Sequence, residues 1–269
     1  MYNIVGMCQI YNESSRCDNI NLDFFENILL FYSSICDHIV FLDDCSTDNT
    51  VERVTKFYLD KYKVTILKNE RNAWQNIEEV KNKIKLHNKA KEFNPDIIVS
   101  FDFDEFFPSY FTRKYLETLI NYLKNNNLKA LKFQWTNFWL SEGYYRTDRL
   151  GQISPPRIWI HDSSDEIIFE KGLHRFLWPL SINDKNTLVT DIPLLHYSFI
   201  NYEILFDKLL YYKNMWNDTV EKMMPLFTID PVLCKTKDLW FGKKIERFGL
   251  EDEIRRIKLI HSEILLGLK

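Results

Sequence analysis

Four short apolar segments alternate with segments of helical character in the first 105 residues of this chain. The apolar segments cover residues 4–10, 38–42, 64–67 and 96–101. The intervening patterns predict helices over 22–34, 50–62 and 75–93. Strands that are apolar throughout and separated by helices are typical of a parallel sheet covered on both faces. The order therefore predicts an α/β fold.

The rest of the chain has a less regular pattern. It predicts a helix over 113–125, strands over 128–139 and 192–199, and helices over 203–217 and 252–268. Residues 142–191 are irregular and rich in Pro, Asp and aromatic residues, so we expect short strands and loops there. With no internal repeat and no low-complexity linker, we predict one domain over 1–240 followed by a helical tail over 241–269.

Composition excludes several classes of protein. The net charge of −3 gives no electrostatic reason to expect nucleic acid as a partner. No apolar run reaches about 18 residues, the length of a membrane-spanning helix, and the N-terminus does not resemble a secretory signal. Five scattered cysteines without a C-x-x-C pair argue against a disulfide framework or a zinc site. We expect a cytoplasmic protein.

Polar clusters follow three of the four predicted strands. They are Tyr11-Asn12-Glu13, Asp43-Asp44-Cys45-Ser46-Thr47-Asp48-Asn49-Thr50 and Asp102-Phe103-Asp104-Glu105. Ligands of open α/β sheets bind beyond the carboxyl ends of the strands. The sequence therefore predicts a ligand site at this edge.

The acidic residues in two of these clusters suggest specific chemistry. Side chains at i and i+2 of a strand point to one side, so Asp102 and Asp104 would converge on a hard divalent cation, Mn²⁺ or Mg²⁺. The alternative is a solvated acidic turn. Asp43 or Asp44 could accept hydrogen bonds from an imide N–H or a ribose hydroxyl. Ser46 or Asp48 could at the same time cap the next helix.

Together the three motifs resemble family 2 glycosyltransferases with the GT-A fold. The family pattern is Y-N-E, then D-D-G-S-T-D-G-T, then D-x-D-E, and the likeness covers residues 1–110. Cys45 and Asn49 stand where the family has glycine, and Asn tolerates a positive φ. The resemblance implies a GT-A type, Rossmann-like, mainly parallel sheet. It also implies a nucleotide-binding half over 1–110 and an acceptor-side half over 111–240.

The resemblance implies metal-dependent, inverting transfer of a sugar from a nucleotide donor, UDP-linked, to a hydroxyl of a glycan or glycolipid acceptor, as in polysaccharide biosynthesis. By this likeness Asp102 and Asp104 would address the ribose and the metal ion. Arg71 lies where the family often places a base-contacting loop, and a plain exposed loop charge is an equal reading. The nucleoside pocket would be lined by Tyr11, Glu13, Asp43 and Asp44.

The second half has a weaker likeness to the branch that builds lipopolysaccharide cores. It rests on Arg157-Ile158-Trp159-Ile160, Gly172-Leu173-His174-Arg175 and Leu195-His196-Tyr197-Ser198. Arg175 stands where the branch has Glu, which leaves Glu170 and His174 as candidates for the general base. His196 is a candidate third metal ligand or a structural histidine. Lys208 is a candidate for the diphosphate charge or a solvated helix lysine.

Two other classes of protein stay open. A metal-dependent nucleotidyltransferase also binds nucleotides at such an edge but favours a glycine-rich, basic loop after the first strand. A non-catalytic carbohydrate-binding protein would explain the tryptophans but not the two aspartates at a strand end. The basic amphipathic pattern over 252–268 predicts either a helix packed on the domain or peripheral contact with an anionic membrane.

Overall fold

The computed structural model describes residues 1–20, 23–59, 63–73, 78–139, 144–146, 153–169, 177–201, 204 and 233–235. Its strands are β1 (Ile4–Ile10), β2 (His38–Asp43), β3 (Lys63–Lys68), β4 (Ile97–Asp102), β5 (Glu105–Phe106), β6 (Ala130–Asn137), β7 (Tyr144–Arg146), β8 (Ile158–Ile160), β9 (Thr187–His196) and β10 (Leu233–Lys235). Its α-helices are α1 (Glu13–Asp18), α2 (Phe24–Ile35), α3 (Thr50–Tyr58), α4 (Glu79–Lys91) and α5 (Arg113–Asn125).

Eight strands form one sheet in the order β3-β2-β1-β4-β8-β6-β9-β5. The first four are parallel, with β1 between β2 and β4. β8 pairs antiparallel with both β4 and β6. The α/β fold class predicted from the sequence, a Rossmann-like sheet flanked by helices, is confirmed, with parallel pairing from β3 to β4 and antiparallel pairing at β8.

The register of β1 fixes which residues meet at the carboxyl edge. Gln9 is level with Asp102 of β4, and Ile10 is level with Asp43 of β2. Because the parallel strands end together, the polar segments that follow them start from neighbouring positions. This is the arrangement that the sequence predicted for the three clusters.

Both faces of the parallel strands are covered, as predicted. On one face Val5, Met7 and Val40 pack with Leu86 and Ala90 of α4. On the other face Tyr32 of α2 stacks on Phe101 with ring centroids 3.5 Å apart. Alternation of side chains along each buried strand sends one set to each helical layer.

Several elements differ from the sequence-based expectation; β5 and β10, for example, were not predicted. Residues 13–18, where no helix was predicted, form α1, a short helix that begins after Asn12 in the left-handed conformation (φ 52°). The strand expected over 192–199 runs instead from Thr187 to His196. The pattern in 187–191 does not reveal the strand, because apolar Val189 is exposed whereas polar Thr190 is buried.

The chain divides into two compact units. The first comprises residues 1–134 and 153–194, and the second comprises 135–152 and 195–269. In the second unit β7 pairs antiparallel with β10. The helices predicted over 203–217 and 252–268 and the tail over 241–269 lie outside the described residues, apart from residue 204. In the described part, no helix has the length and apolar character needed to cross a membrane.

A buried histidine lies between α4 and the end of β8. His87 is 1% exposed, with its ring centroid 6.4 Å from that of Trp159 and 5.9 Å from that of His161. Burial lowers the pKa of His87 to about 4, and the charges of His161 and Lys91 act in the same direction. The folded state therefore holds this ring neutral at a pH where the unfolded chain protonates it.

We predict that His87 makes the protein less stable in mild acid. Because its folded pKa lies below the unfolded value, its contribution is present above about pH 6.5 and is lost as the pH falls toward 4. Between pH 7 and pH 4 the wild type should lose up to about 3 kcal/mol more unfolding free energy than His87→Gln. Urea unfolding across this range measures the difference.

The exposed neighbour Asn88 supplies the control, since Asn88→Gln should follow the wild-type curve. Parallel curves for wild type and His87→Gln would contradict the assignment of a neutral buried ring.

Candidate functional site

The loops that follow β1 and β2 are joined to each other by hydrogen bonds. The Asn12 backbone N–H donates to Ser46 Oγ at 3.0 Å, and the Thr47 N–H donates to Asn12 Oδ1 at 2.7 Å. Two residues after Asn12, the Ser14 N–H donates to Thr50 Oγ1 at 2.9 Å. Ser46, a candidate cap in the sequence, therefore bonds to the loop after β1 instead of capping α3.

Asp44 is fully buried and accepts hydrogen bonds from three donors. The Ala73 N–H lies 2.8 Å and Asn69 Nδ2 2.7 Å from its Oδ1, and Gln9 Nε2 lies 3.2 Å from its Oδ2. This carboxylate thus fixes residues 69–73 against the ends of β1 and β2. A role in the nucleoside pocket stays a prediction for Asp44 and for its neighbour Asp43, whose Oδ1 accepts the Ser46 N–H at 3.0 Å.

Cys45 adopts the left-handed conformation, with φ 68°. This is the conformation that glycine adopts without cost, and it costs other residues about 1 kcal/mol or more. Asn49, the second position where the family pattern has glycine, has φ −84° and needs no such freedom. Asn49 therefore does not use its tolerance of a positive φ, and the strain lies at Cys45.

The four residues Asp102 to Glu105 point in different directions because β4 ends at Asp102 and a turn follows. The side chain of Asp102 is 42% exposed. Phe103 is buried, with its ring 4.8 Å from that of Phe25. Asp104 and Glu105 are buried. The D-x-D-E motif thus supplies one exposed carboxylate, one core residue and two buried carboxylates.

Asp102 is held by two buried cations. Arg157 Nη2 lies 2.5 Å from Asp102 Oδ2, and Lys83 Nζ lies 3.4 Å from Oδ1. The side chains of Arg157 and Lys83 are 4% and 1% exposed. Burial alone would lower the pKa of Arg157, but the carboxylates of Asp102 and Glu105 raise it above its usual value. Arg157 is therefore a permanent positive charge beneath an accessible carboxylate.

Asp104 pairs with a different arginine. Arg16 Nη1 lies 2.9 Å from Asp104 Oδ2, and the same guanidinium pairs with Glu13. Burial raises the pKa of Glu13 to about 7, and the Asp104 charge also raises it, against the lowering effect of Arg16. Burial beside Asp104 thus makes the Glu13 carboxyl easier to protonate than a free glutamate. Its place in a nucleoside pocket, which the family likeness implies, stays a prediction.

These contacts bear on whether a divalent ion fits here. Asp102 offers exposed carboxylate oxygens, the ligand type that Mn²⁺ and Mg²⁺ prefer. Asp104 is buried and its Oδ2 pairs with Arg16, so Asp102 is the more accessible carboxylate of the two. Within the described residues, no group of three or more His, Cys, Asp or Glu side chains is arranged to hold a metal ion. The set Asp102, Asp104 and His196 stays a prediction.

His196 belongs to the second unit, where its ring is fixed on three sides. Its Nδ1 lies 2.5 Å from Asn137 Oδ1, and Ser198 Oγ lies 2.6 Å from its Nε2. Trp135 stacks on the ring at 5.1 Å between centroids. With Nδ1–H donating to the Asn137 oxygen, the Nε2 lone pair accepts from the Ser198 hydroxyl, so both ring nitrogens have partners within this unit. The metal role of His196 stays a prediction.

Other predicted site residues are accounted for as follows. Arg71 is exposed and pairs with Glu78 at 2.9 Å, which matches the reading as a loop charge without testing a base contact. The Tyr11 backbone N–H lies 3.3 Å from Glu13 Oε1. The candidate bases Glu170 and His174 and the candidate phosphate ligand Lys208 lie outside the described residues.

Sequence reasoning missed the cations of this edge. Arg16 and Lys83 have no motif of their own, and Arg157 was noted only in a family likeness without a role. The spacing of Lys83 was a usable signal, because it shares the buried face of α4 with Leu86 and Ala90. A lysine on an apolar face needs an acidic partner.

Comparison with known proteins gives distant structural neighbours only. No family model matches the sequence, and no curated protein matches it. A structure of S. aureus TarS 1-349 aligns over 82% of this chain and 68% of that one, at 16% identity and a TM-score of 0.46. A mannosyltransferase from Pyrobaculum calidifontis, in complex with GDP-Man and Mn²⁺, aligns over 82% and 64%, at 11% identity and 0.43.

A third neighbour is a putative nucleotide-diphospho-sugar transferase from Desulfovibrio desulfuricans, aligned over 82% of this chain and 91% of that one, at 11% identity and a TM-score of 0.43. Likeness at this distance does not assign an activity. The function must be argued from the site.

We predict that Asp44→Ala destabilises the protein by about 3 kcal/mol, because it removes the acceptor of the buried Ala73 N–H and of the half-buried amides of Gln9 and Asn69. Asp96→Ala is the control. Asp96 is exposed and accepts the Asn3 N–H at 2.7 Å, so its loss should cost less than about 1 kcal/mol. Chemical denaturation of both variants measures the difference, and equal losses would contradict a holding role for Asp44.

Proposed function

We propose that this protein transfers a sugar from a nucleotide-diphosphate donor, UDP-linked, to a hydroxyl group of a glycan or glycolipid acceptor. The observation that supports it most is the convergence of three polar strand ends, two of them acidic, at one sheet edge, with Asp102 accessible there. Gln9, Asp43 and Asp102 are brought to that edge by the parallel register of β1 with β2 and β4. Inversion of the anomeric centre is proposed from the family likeness alone.

Three features of the edge support binding of a nucleotide donor. The carboxylate of Asp102 can accept hydrogen bonds from ribose hydroxyls or coordinate a divalent ion. By the family likeness, a nucleoside would lie between residues 11–15 and residues 43–50. The hydrogen bonds that join these two loops fix the distance between them. Buried Lys83 and Arg157 offset the negative charge of Asp102, so an anionic donor is not simply repelled.

Glycosyl transfer places negative charge on the leaving diphosphate. A divalent ion held through Asp102 would stabilise that charge as a Lewis acid. The protein residues bind and orient the donor at the sheet edge, and the acceptor hydroxyl loses its proton to a base. Glu170 and His174 remain our candidates for that base, and Lys208 remains the candidate cation for the diphosphate.

We predict that UDP with Mn²⁺ raises the melting temperature of the wild type and that Asp102→Asn abolishes the rise. A ligand that binds only the folded state must stabilise it. Because Asp102 pairs with buried Arg157 and Lys83, the substitution should lower the melting temperature of the ligand-free protein, so the shift is read from each variant's own ligand-free value. Thermal unfolding with UDP, with and without Mn²⁺, measures the effect.

Asp37→Asn is a matched control for this experiment. Asp37 is also 42% exposed and also pairs with an arginine, Arg113 at 2.9 Å, but it precedes β2 at the opposite edge of the sheet. Its variant should keep the full shift. A full shift in Asp102→Asn would remove Asp102 from the donor site. Stabilisation by nucleoside triphosphates but not by UDP would favour a nucleotidyltransferase instead.

A further inference from the structure

Asp102 takes part in a closed ring of polar contacts. Its carboxylate Oδ2 accepts from Arg157 Nη2 at 2.5 Å, and the same Nη2 donates to Glu105 Oε1 at 2.5 Å. The other oxygen of Glu105, Oε2, accepts the backbone N–H of Asp102 at 3.2 Å. The ring therefore passes from the Asp102 side chain through Arg157 and Glu105 and returns to the Asp102 main chain.

Burial differs sharply around this ring. The Glu105 side chain is 0% exposed and that of Arg157 is 4% exposed, whereas that of Asp102 is 42% exposed. Two buried side chains, Glu105 and Arg157, thus contact one side chain, Asp102, that is accessible to solvent. Solvent screens a buried ion pair less than an exposed one. Arg157 and Glu105 therefore hold the Asp102 carboxylate firmly in one orientation.

The backbone of Arg157 is fixed as well. The Ser100 N–H donates to the Arg157 carbonyl at 2.7 Å, and the Arg157 N–H donates to the Leu131 carbonyl at 3.1 Å. These bonds hold Arg157, just before β8, between β4 and β6. The guanidinium is therefore carried by the sheet rather than by a loose loop.

From this geometry we propose that Arg157 and Glu105 are positioning residues of the donor site, which hold the Asp102 carboxylate in the orientation that binds the nucleotide donor. Glu105 orients Arg157, and Arg157 orients Asp102. The ligand in this inference, the nucleotide donor, rests on the proposed function. The ring of contacts does not depend on that function. It also gives the last residue of the D-x-D-E motif a role different from ligand binding.

Lysine in place of Arg157 separates charge from geometry. Arg157→Lys keeps the positive charge, but the lysine side chain is shorter, so its ammonium does not reach the position of Nη2, which lies 2.5 Å from both carboxylates. Asp102 should then occupy more than one orientation in the crystal structure of the ligand-free variant. Affinity for UDP with Mn²⁺, measured by calorimetry, should fall about tenfold or more, as expected when a group that orients a ligating carboxylate is changed.

Arg113→Lys is the matched control for the loss of a structural arginine. Arg113 pairs with Asp37 and donates to the Tyr2 carbonyl at 2.6 Å, far from the carboxyl edge in the sheet register. The Arg113→Lys substitution should lower the melting temperature without changing the affinity for UDP and Mn²⁺. Glu105→Gln, which keeps the shape of the side chain, should reproduce the loss of affinity seen in Arg157→Lys.

Two measurements distinguish a failure of the positioning role from a failure of the proposed function. If Asp102 keeps one orientation in ligand-free Arg157→Lys, the positioning role is overturned. It is also overturned if that variant binds UDP and Mn²⁺ as the wild type does. If the wild type itself binds neither UDP nor other nucleotides while Asp102 becomes disordered in Arg157→Lys, the positioning role is supported and the proposed function fails.

Discussion

The parallel register of β1 with β2 and β4 is the constraint on which the candidate site depends. A shift of one residue would turn Asp102 and Asp43 to the other faces of their strands. The register is enforced by burial, since Val5, Met7 and Val40 must face α4 while Phe41 and Phe101 face α2. Apolar packing in the middle of the sheet thus decides which polar groups meet at its edge.

The second constraint is the balance of buried charge at that edge. Four carboxylates, those of Glu13, Asp102, Asp104 and Glu105, are paired with three cations, Arg16, Lys83 and Arg157. Removing one member of a buried pair leaves an uncompensated charge, which costs about 3–5 kcal/mol. Burial raises the pKa of Glu13 to about 7, and protonation there relieves the excess of negative charge. The exposed member of the set is Asp102, and that is why it is available to a ligand.

Much of this arrangement could be predicted from the sequence, because it follows local patterns. The apolar runs gave β1 to β4 to within two residues, and the polar clusters at their ends identified the edge. The directions of Asp102, Phe103, Asp104 and Glu105 could not be predicted, because they depend on the strand ending at Asp102. Arg16, Lys83 and Arg157 come from a short helix, a long helix and the residue before β8. Only the tertiary fold brings such distant cations to the same carboxylates.

The central claim is that the carboxyl edge of β1, β2 and β4 binds a nucleotide diphosphate with a divalent ion. Amide NMR of the ¹⁵N-labelled protein, titrated with UDP and traces of paramagnetic Mn²⁺, tests it most directly. Our account predicts that signals of Tyr11, Cys45 and Asp102 shift and broaden, while those of Asp37 and Asp96 at the opposite edge do not. Broadening at the opposite edge, or no change on adding UDP, would contradict it.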